Sequence, residues 1–136
     1  MTDRVEKQIG IAIVEFDGHF LVGTRRAGQA LAGFAEFPGG KCEPGESSVD
    51  CAVRECLEET GLSVTAERLL DRIHHEYDHG RVDLHFWLCR VKEVSDEPVR
   101  NMPQLTNEFE WKSVDGLRGL SFPEANAGIL KLLTGG

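Results

Sequence analysis

The segment GKCEPGESSVDCAVRECLEETGL, from Gly40 to Leu62, constrains this chain more than any other. It opens as a Gly-rich loop and continues as a short acidic helix. Ser47, with Asp50 three residues on, has the spacing of a capping box and starts the helix near Ser47 or Ser48. Gly61 stops it, because glycine enters the left-handed conformation without a Cβ penalty. Val49, Ala52, Val53 and Cys56 recur at helical spacing and form the predicted buried stripe. Glu55, Glu58 and Glu59 stand at i, i+3 and i+4, so their carboxylates share a face. Glu46, in the loop before the helix, can point at the same spot.

Like charges at this spacing cost an isolated helix about 0.2–0.5 kcal/mol per pair. A run of charge is usually a solvated face. Here it is accompanied by a Gly-Gly loop, by Arg54 within it and by a fourth carboxylate. Clustered carboxylates beside backbone carbonyls suit hard divalent cations such as Mg²⁺, with Mn²⁺ as the alternative.

Gly40, five residues, Glu46, seven residues and then Arg54-Glu55-Cys56-Leu57-Glu58-Glu59-Thr60-Gly61-Leu62 resembles the complete Nudix box, G-x5-E-x7-R-E-U-x-E-E-x-G-U with U aliphatic. Every fixed position is filled. Cys56 occupies a U position, where a small buried thiol replaces an aliphatic side chain. Three further stretches resemble the MutT-type branch, which sanitises oxidised purine nucleoside triphosphates. These are Thr24-Arg25-Arg26-Ala27, Glu36-Phe37-Pro38-Gly39-Gly40-Lys41 and Phe122-Pro123-Glu124-Ala125-Asn126. Gly80–Trp87 also has some likeness to a branch that hydrolyses pyrimidine triphosphates.

The chain has 136 residues and is 40% hydrophobic, which fits one domain spanning residues 1–136 with one core. No stretch approaches the roughly 20 apolar residues of a membrane span. The N-terminus lacks a signal-peptide apolar region, so a cytoplasmic location is expected. The net charge of −8, without a Lys/Arg block, argues against duplex nucleic acid as a partner. An acidic protein that handles phosphates needs cations to bridge the repulsion. Cys42, Cys51, Cys56 and Cys89 form no CxxC pair, and reduced thiols are the expectation.

Gln8–Phe16 and His19–Thr24 read as strands around an Asp17-Gly18 hairpin turn. Ala27–Ala35 is a small-residue loop that can cover a site. Val64–Leu70 and Arg72–Tyr77 read as one long or bulged strand, Asp78-His79-Gly80 as a turn, and Val82–Val91 as its partner. Lys92–Asn107 is a long polar excursion, and Phe109–Val114 a short strand. Pro123 opens a closing helix, with Ala127, Leu130 and Leu133 inward. The natural packing is α/β (α+β), a mixed β-sheet between helices, which is also the Nudix fold that the resemblance implies.

The resemblance implies attack of water on a phosphorus of a nucleoside triphosphate, giving the monophosphate and pyrophosphate. Glu58 and Glu59, with the Gly39 or Gly40 carbonyl, are the implied Mg²⁺ ligands. Glu55 is the implied general base and a further ligand. Glu110 competes for both roles. Arg54 braces the glutamates. The implied substrate contacts are Arg26 with the triphosphate, and Glu36, Phe37 and Asn126 around the base. Phe86 and Trp87 read as core rather than as stacking platforms. The implied partner is a small-molecule nucleotide, and the protein is a monomer or homodimer. Two other classes stay open: a Nudix-fold nucleotide sensor without catalysis, and an acidic interaction domain without ligand.

Overall fold

The structure is a computed structural model, and it describes residues 6–29, 31–77, 80–92 and 108–135. The expected turn at Asp78-His79 and most of the excursion after Lys92 lie outside the described residues. The strands are β1 (Glu6–Phe16), β2 (His19–Thr24), β3 (Ala35–Glu36), β4 (Gly39–Lys41), β5 (Val64–Tyr77), β6 (Gly80–Val91) and β7 (Phe109–Ser113). The helices are α1 (Ser48–Thr60), α2 (Val114–Arg118) and α3 (Ala127–Thr134), the last preceded by a 3₁₀ turn at Glu124–Asn126.

β1 lies at the centre. It runs parallel to β6 and antiparallel to β4 and β2, and the path of the sheet is β3-β2-β1-β6-β5 with β7 on β2. The β1–β2 turn has Asp17 at φ 49° and Gly18 at φ 75°, the two positive φ values that a two-residue hairpin with right-handed twist requires. β5 is one strand with register shifts at Ala66/Arg68 and Leu69/Asp71, as its interrupted pattern predicts.

The period-2 geometry of β1 divides the core. Ile11 and Ile13 face one cluster with Phe20, Phe86, Leu117 and Ile129, which α2 and α3 cover. Ala12 and Val14 face the other with Leu21, Cys89, Ala52 and Cys56, which α1 covers. Phe86 is fully buried, as expected.

α1 begins and ends where its caps dictate. Ser47 Oγ accepts from the Asp50 amide at 3.2 Å, and Gly61 closes the helix at φ 77°. Its buried face is rotated from the predicted stripe. Ser48, Cys51, Ala52, Cys56 and Thr60 are buried, whereas Val49 is only half-buried. The cause is Gly10. A Cβ there would stand 2.8 Å from Ala52 N and also strike Ser48 O, so the missing side chain lets α1 settle directly on β1. Ser48 Oγ accepts from Trp87 Nε1 at 3.0 Å and lies 2.6 Å from His85 Nδ1, which pins the start of α1 to β6.

The closing helix also differs from expectation. Pro123 precedes the 3₁₀ turn, Ala127 is exposed, and Ala125 and Ile129 point inward with Leu130 and Leu133 packed beside them. Val114 opens α2 rather than ending β7. Among the described residues, no helix is long and apolar enough to cross a membrane.

Candidate active site

The rotation of α1 turns Glu55 and Glu59 toward the sheet and leaves Glu58 outward. Glu55 and Glu59 are half-buried; Glu58 is exposed. Arg54 gathers the acidic groups. Its Nε and Nη2 donate to the two oxygens of Glu46 at 2.7 and 2.9 Å, a paired fork. Its Nη1 donates to Glu55 Oε1 at 2.9 Å and to Glu58 Oε2 at 3.2 Å. The fork to Glu46, with the bond from the Glu43 amide adding to it, holds the Glu46 carboxyl down at about 2. Arg54 is thus the brace expected from the sequence.

Glu59 turns the other way and accepts from the Gly39 amide at 2.8 Å. Burial pushes its carboxyl up to about 7; the Gly39 bond opposes this, and the charges of Glu55, Glu36 and Glu58 add to it. Glu55 lies flat over Gly40. A Cβ on Gly40 would stand 2.6 Å from the Glu55 carboxylate, so the second glycine of β4 leaves the room that this position of Glu55 needs.

Glu55, Glu58 and Glu59 share one neighbourhood, but their oxygens do not close on a single point within 4.8 Å. Arg54 draws Glu55 and Glu58 to one side while Gly39 draws Glu59 to the other. The donor set is hard oxygen throughout, and Glu59 is crowded by like charge. That chemistry fits a divalent cation of the Mg²⁺ class. The Gly40 carbonyl, an expected ligand, accepts from the Cys51 thiol at 3.2 Å.

Glu110 is not brought to this group. It pairs with Val22 on β2, on the face opposite Phe109 and Trp111, whose rings pack in the α1-side cluster. It is 64% exposed and lies 2.9 Å from Lys112 Nζ. Strand alternation places it away from α1.

Two cavities meet at Glu36, and one of them reaches Glu59. One, of about 280 Å³, is walled by Glu36, Phe37, Gly39, Gly40, Arg25 and Asn126, among others. Phe37 is otherwise core, stacked on Phe122 with ring centroids 5.0 Å apart. Asn126 sits at the start of α3 but makes no side-chain capping bond, and its Nδ2 has only a long 3.4 Å contact to Pro123 O. The other cavity, of about 180 Å³, joins Glu59 to Glu36, Arg26, Gln29 and Glu108. Arg26 is exposed, 3.9 Å from Glu108. Glu36 borders both cavities, and Arg25 Nη1 donates to it at 3.1 Å. Sequence reasoning missed Arg25. The signal was available, since neighbouring arginines at a strand end project to opposite sides.

The NUDIX domain model matches residues 10–132 of the chain. The chain is 35% identical over 127 residues to the 8-oxo-dGTP diphosphatase of Escherichia coli strain K12, covering 93% of this chain and 95% of that protein. It is 38% identical over 80 residues to the CTP pyrophosphohydrolase of the same organism, covering 59% of each. A solved MutT structure, from work on Aliivibrio salmonicida and Vibrio cholerae, superimposes with a TM-score of 0.65 at 28% identity, covering 95% of this chain and 98% of that one.

Proposed function

Because the chain belongs to the Nudix hydrolase family, whose members generally use divalent metals, we propose that it is a Mg²⁺-dependent nucleoside triphosphate pyrophosphohydrolase that acts on oxidised purine nucleotides. The reaction proposed is 8-oxo-dGTP plus water to 8-oxo-dGMP and pyrophosphate. The observation that carries this reading is the shared wall of Glu36, Gly39 and Gly40. On one side of it lies the cavity that ends at Asn126, and on the other lie the glutamates. A base held at Asn126 places its phosphates toward the acidic group.

Glu55, Glu58 and Glu59 would hold the cation, Mn²⁺ being the alternative, which would neutralise phosphate oxygens and make bound water more acidic. The remaining roles belong to the chain. Glu55 takes the proton of the attacking water. Arg54 fixes the Glu55 carboxylate by the 2.9 Å bond and keeps Glu46 from adding free charge. Gly39 orients Glu59. Arg26, exposed at the rim of the second cavity, meets the triphosphate. Glu36 and Phe37 shape the base end of the first cavity. All box glutamates are present, which favours hydrolysis over sensing.

The test is initial-rate hydrolysis of 8-oxo-dGTP, dGTP, CTP and dCTP with Mg²⁺ and after chelation. The highest kcat/KM on 8-oxo-dGTP, lost on chelation, is expected. A higher value on the cytidine nucleotides moves the substrate to the pyrimidine class, the activity that the name of the second E. coli relative states. Undiminished hydrolysis after chelation removes the metal dependence.

A further inference from the structure

The loop between β4 and α1 folds back over the helix and sets two thiols beside one carboxylate. Single donor atoms of Cys42, Glu46 and Cys51 all lie within 4.8 Å of one another. Cys51 is buried, whereas Cys42 and Glu46 are half-buried, so the group has an open side. The amide of Cys42 donates to Gln8 O at 2.9 Å, which ties the loop to β1 and fixes the thiol opposite α1. Nothing in the linear spacing announces this pair, because one cysteine is in a loop and the other on a helix.

We propose that Cys42, Glu46 and Cys51 form a second metal site, for a thiophilic divalent cation of the zinc class. Distance is the first argument. Tetrahedral zinc with Zn–S of about 2.3 Å and Zn–O of about 2.1 Å needs donors roughly 3.6–3.8 Å apart. Donors within 4.8 Å reach that by small side-chain rotations. A disulfide needs the sulfurs to approach to about 2.05 Å, a much larger movement.

Ligand character is the second argument. Thiolate sulfur selects zinc-class ions, while the all-oxygen set of Glu55, Glu58 and Glu59 suits Mg²⁺. The two sites therefore sort cations by chemistry. Charge is the third. Two thiolates and a carboxylate bring three negative charges. Arg54, whose Nη2 stands 4.0 Å from Cys51 Sγ and 2.9 Å from Glu46 Oε1, brings one positive charge. A divalent ion makes the group neutral and leaves Arg54 as a donor to its ligands. Binding releases the two thiol protons to solvent, with no change of oxidation state, and leaves a fourth position for water.

The site meets the glutamate group at Arg54. A cation that takes one Glu46 oxygen leaves Arg54 bonded to the other, and so shifts the guanidinium that braces Glu55 and Glu58. Zinc-class ions therefore slow the Mg²⁺-dependent reaction; this consequence rests on the proposed function, and the site itself does not.

The experiment titrates Cd²⁺, as a spectroscopic probe of the zinc class, into the reduced full chain in excess Mg²⁺. Expected is one equivalent bound with an ultraviolet thiolate-to-metal charge-transfer band that Zn²⁺ displaces. Cys42→Ser should weaken Cd²⁺ binding at least ~10-fold, and Cys56→Ala, a buried thiol outside the group, should leave it unchanged. Circular dichroism confirms that each variant is folded. No band in the parent protein, or an undiminished band in folded Cys42→Ser, overturns the site. So does a mass lower by two hydrogens once reductant is removed, absent from Cys42→Ser, the mark of a Cys42–Cys51 disulfide in place of metal. In a separate arm, Zn²⁺ inhibits hydrolysis by the parent protein and not by Cys42→Ser. Equal inhibition of both removes the coupling to the active site, while the band still reports the site itself.

Discussion

Gly39 and Glu59 are twenty residues apart, and the amide of the first donates to the carboxylate of the second at 2.8 Å. This bond ties β4 to the last turn of α1. One residue on, Gly40 lies under Glu55 with no room for a methyl group. The two glycines therefore act differently: one supplies a donor, the other supplies space.

Gly40→Ala should separate site geometry from fold stability. Its Cβ meets a carboxylate at the end of a flexible side chain, which can swing away. The protein should fold, with kcat down about 100-fold, the cost of displacing a reacting group by roughly 1 Å. Gly10→Ala makes the contrast, because its Cβ meets the backbone of α1. Overpacking typically costs about 1–3 kcal/mol, and backbone cannot move aside, so a marked fall in Tm is expected there. Thermal melts beside kcat for both variants check this. An unchanged kcat in Gly40→Ala would mean that the position of Glu55 does not matter to the chemistry.

Three glutamine substitutions assign the carboxylates. Glu58→Gln keeps shape and removes charge from an exposed side chain, so the fold should persist while turnover falls at least ~100-fold, about 2.7 kcal/mol. Glu55→Gln should lower kcat by far more than it weakens Mg²⁺ binding, because two carboxylate ligands remain while the base is lost. Glu110→Gln should change kcat less than about 3-fold, since its side chain faces away from α1 toward Lys112. Should Glu110→Gln instead remove the rise of kcat with pH that a general base imposes, the base is Glu110, and β7 must reach the site during turnover.

Stability without metal should depend on pH through Glu59. Its carboxyl is pushed from the ordinary 4.5 up to about 7, first by burial and then by neighbouring charges. The folded state holds this proton more tightly than the unfolded chain. Stability is therefore lost as pH rises from about 4.5 to about 7, and changes little beyond. Glu46 acts in the opposite sense. Held down at about 2 by Arg54, it adds stability above its ordinary 4.5 that is lost as pH falls toward 2. Melts across this range should show a maximum near pH 4.5, and Glu59→Gln should flatten the upper limb. Mg²⁺ competes with the proton for these oxygens, so it should raise Tm more at high pH than at low. A Tm that rises steadily from pH 4.5 to 7 without metal would overturn the Glu59 assignment.

Local rules carried the sequence reading far. Ser47 and Gly61 bound α1, and Asp17-Gly18 makes the hairpin, because caps and turns are decided within a few residues. The reading was weaker where a distant residue decides. The buried face of α1 follows from Gly10, a gap in a strand nearly forty residues earlier, and Val49 was misplaced for that reason. The face that Glu110 presents depends on its register with Val22. Arg54 was legible as a brace, since its charge lies inside the acidic run. The nearness of Cys42 to Cys51 was not, because it depends on where the loop returns over the helix.

The proposed preference for an oxidised purine rests on Asn126. An Asn at a helix start usually caps the helix, yet this one makes no capping bond and instead lines the cavity. A carboxamide offers one acceptor oxygen beside one donor nitrogen. The outer edge of 8-oxoguanine presents O6, an acceptor, beside N7–H, a donor, so the two can pair twice. Guanine presents two acceptors there and would set the amide oxygen against N7. A buried polar group left unsatisfied costs about 1–3 kcal/mol, or roughly 5- to 150-fold in affinity. The enzyme should therefore prefer 8-oxo-dGTP to dGTP by a factor in that range, expressed mainly in KM. Asn126→Ala should erase most of the preference and leave kcat on dGTP and the Mg²⁺ dependence near those of the parent, because Arg54 and the glutamates are untouched. Asn126→Asp presents only acceptors while ionised, so it should weaken 8-oxo-dGTP binding more than Ala does. Equal kcat/KM on the two purines in the parent protein, or a preference that survives Asn126→Ala, would remove Asn126 from recognition and return the purine assignment to the remaining walls of the cavity.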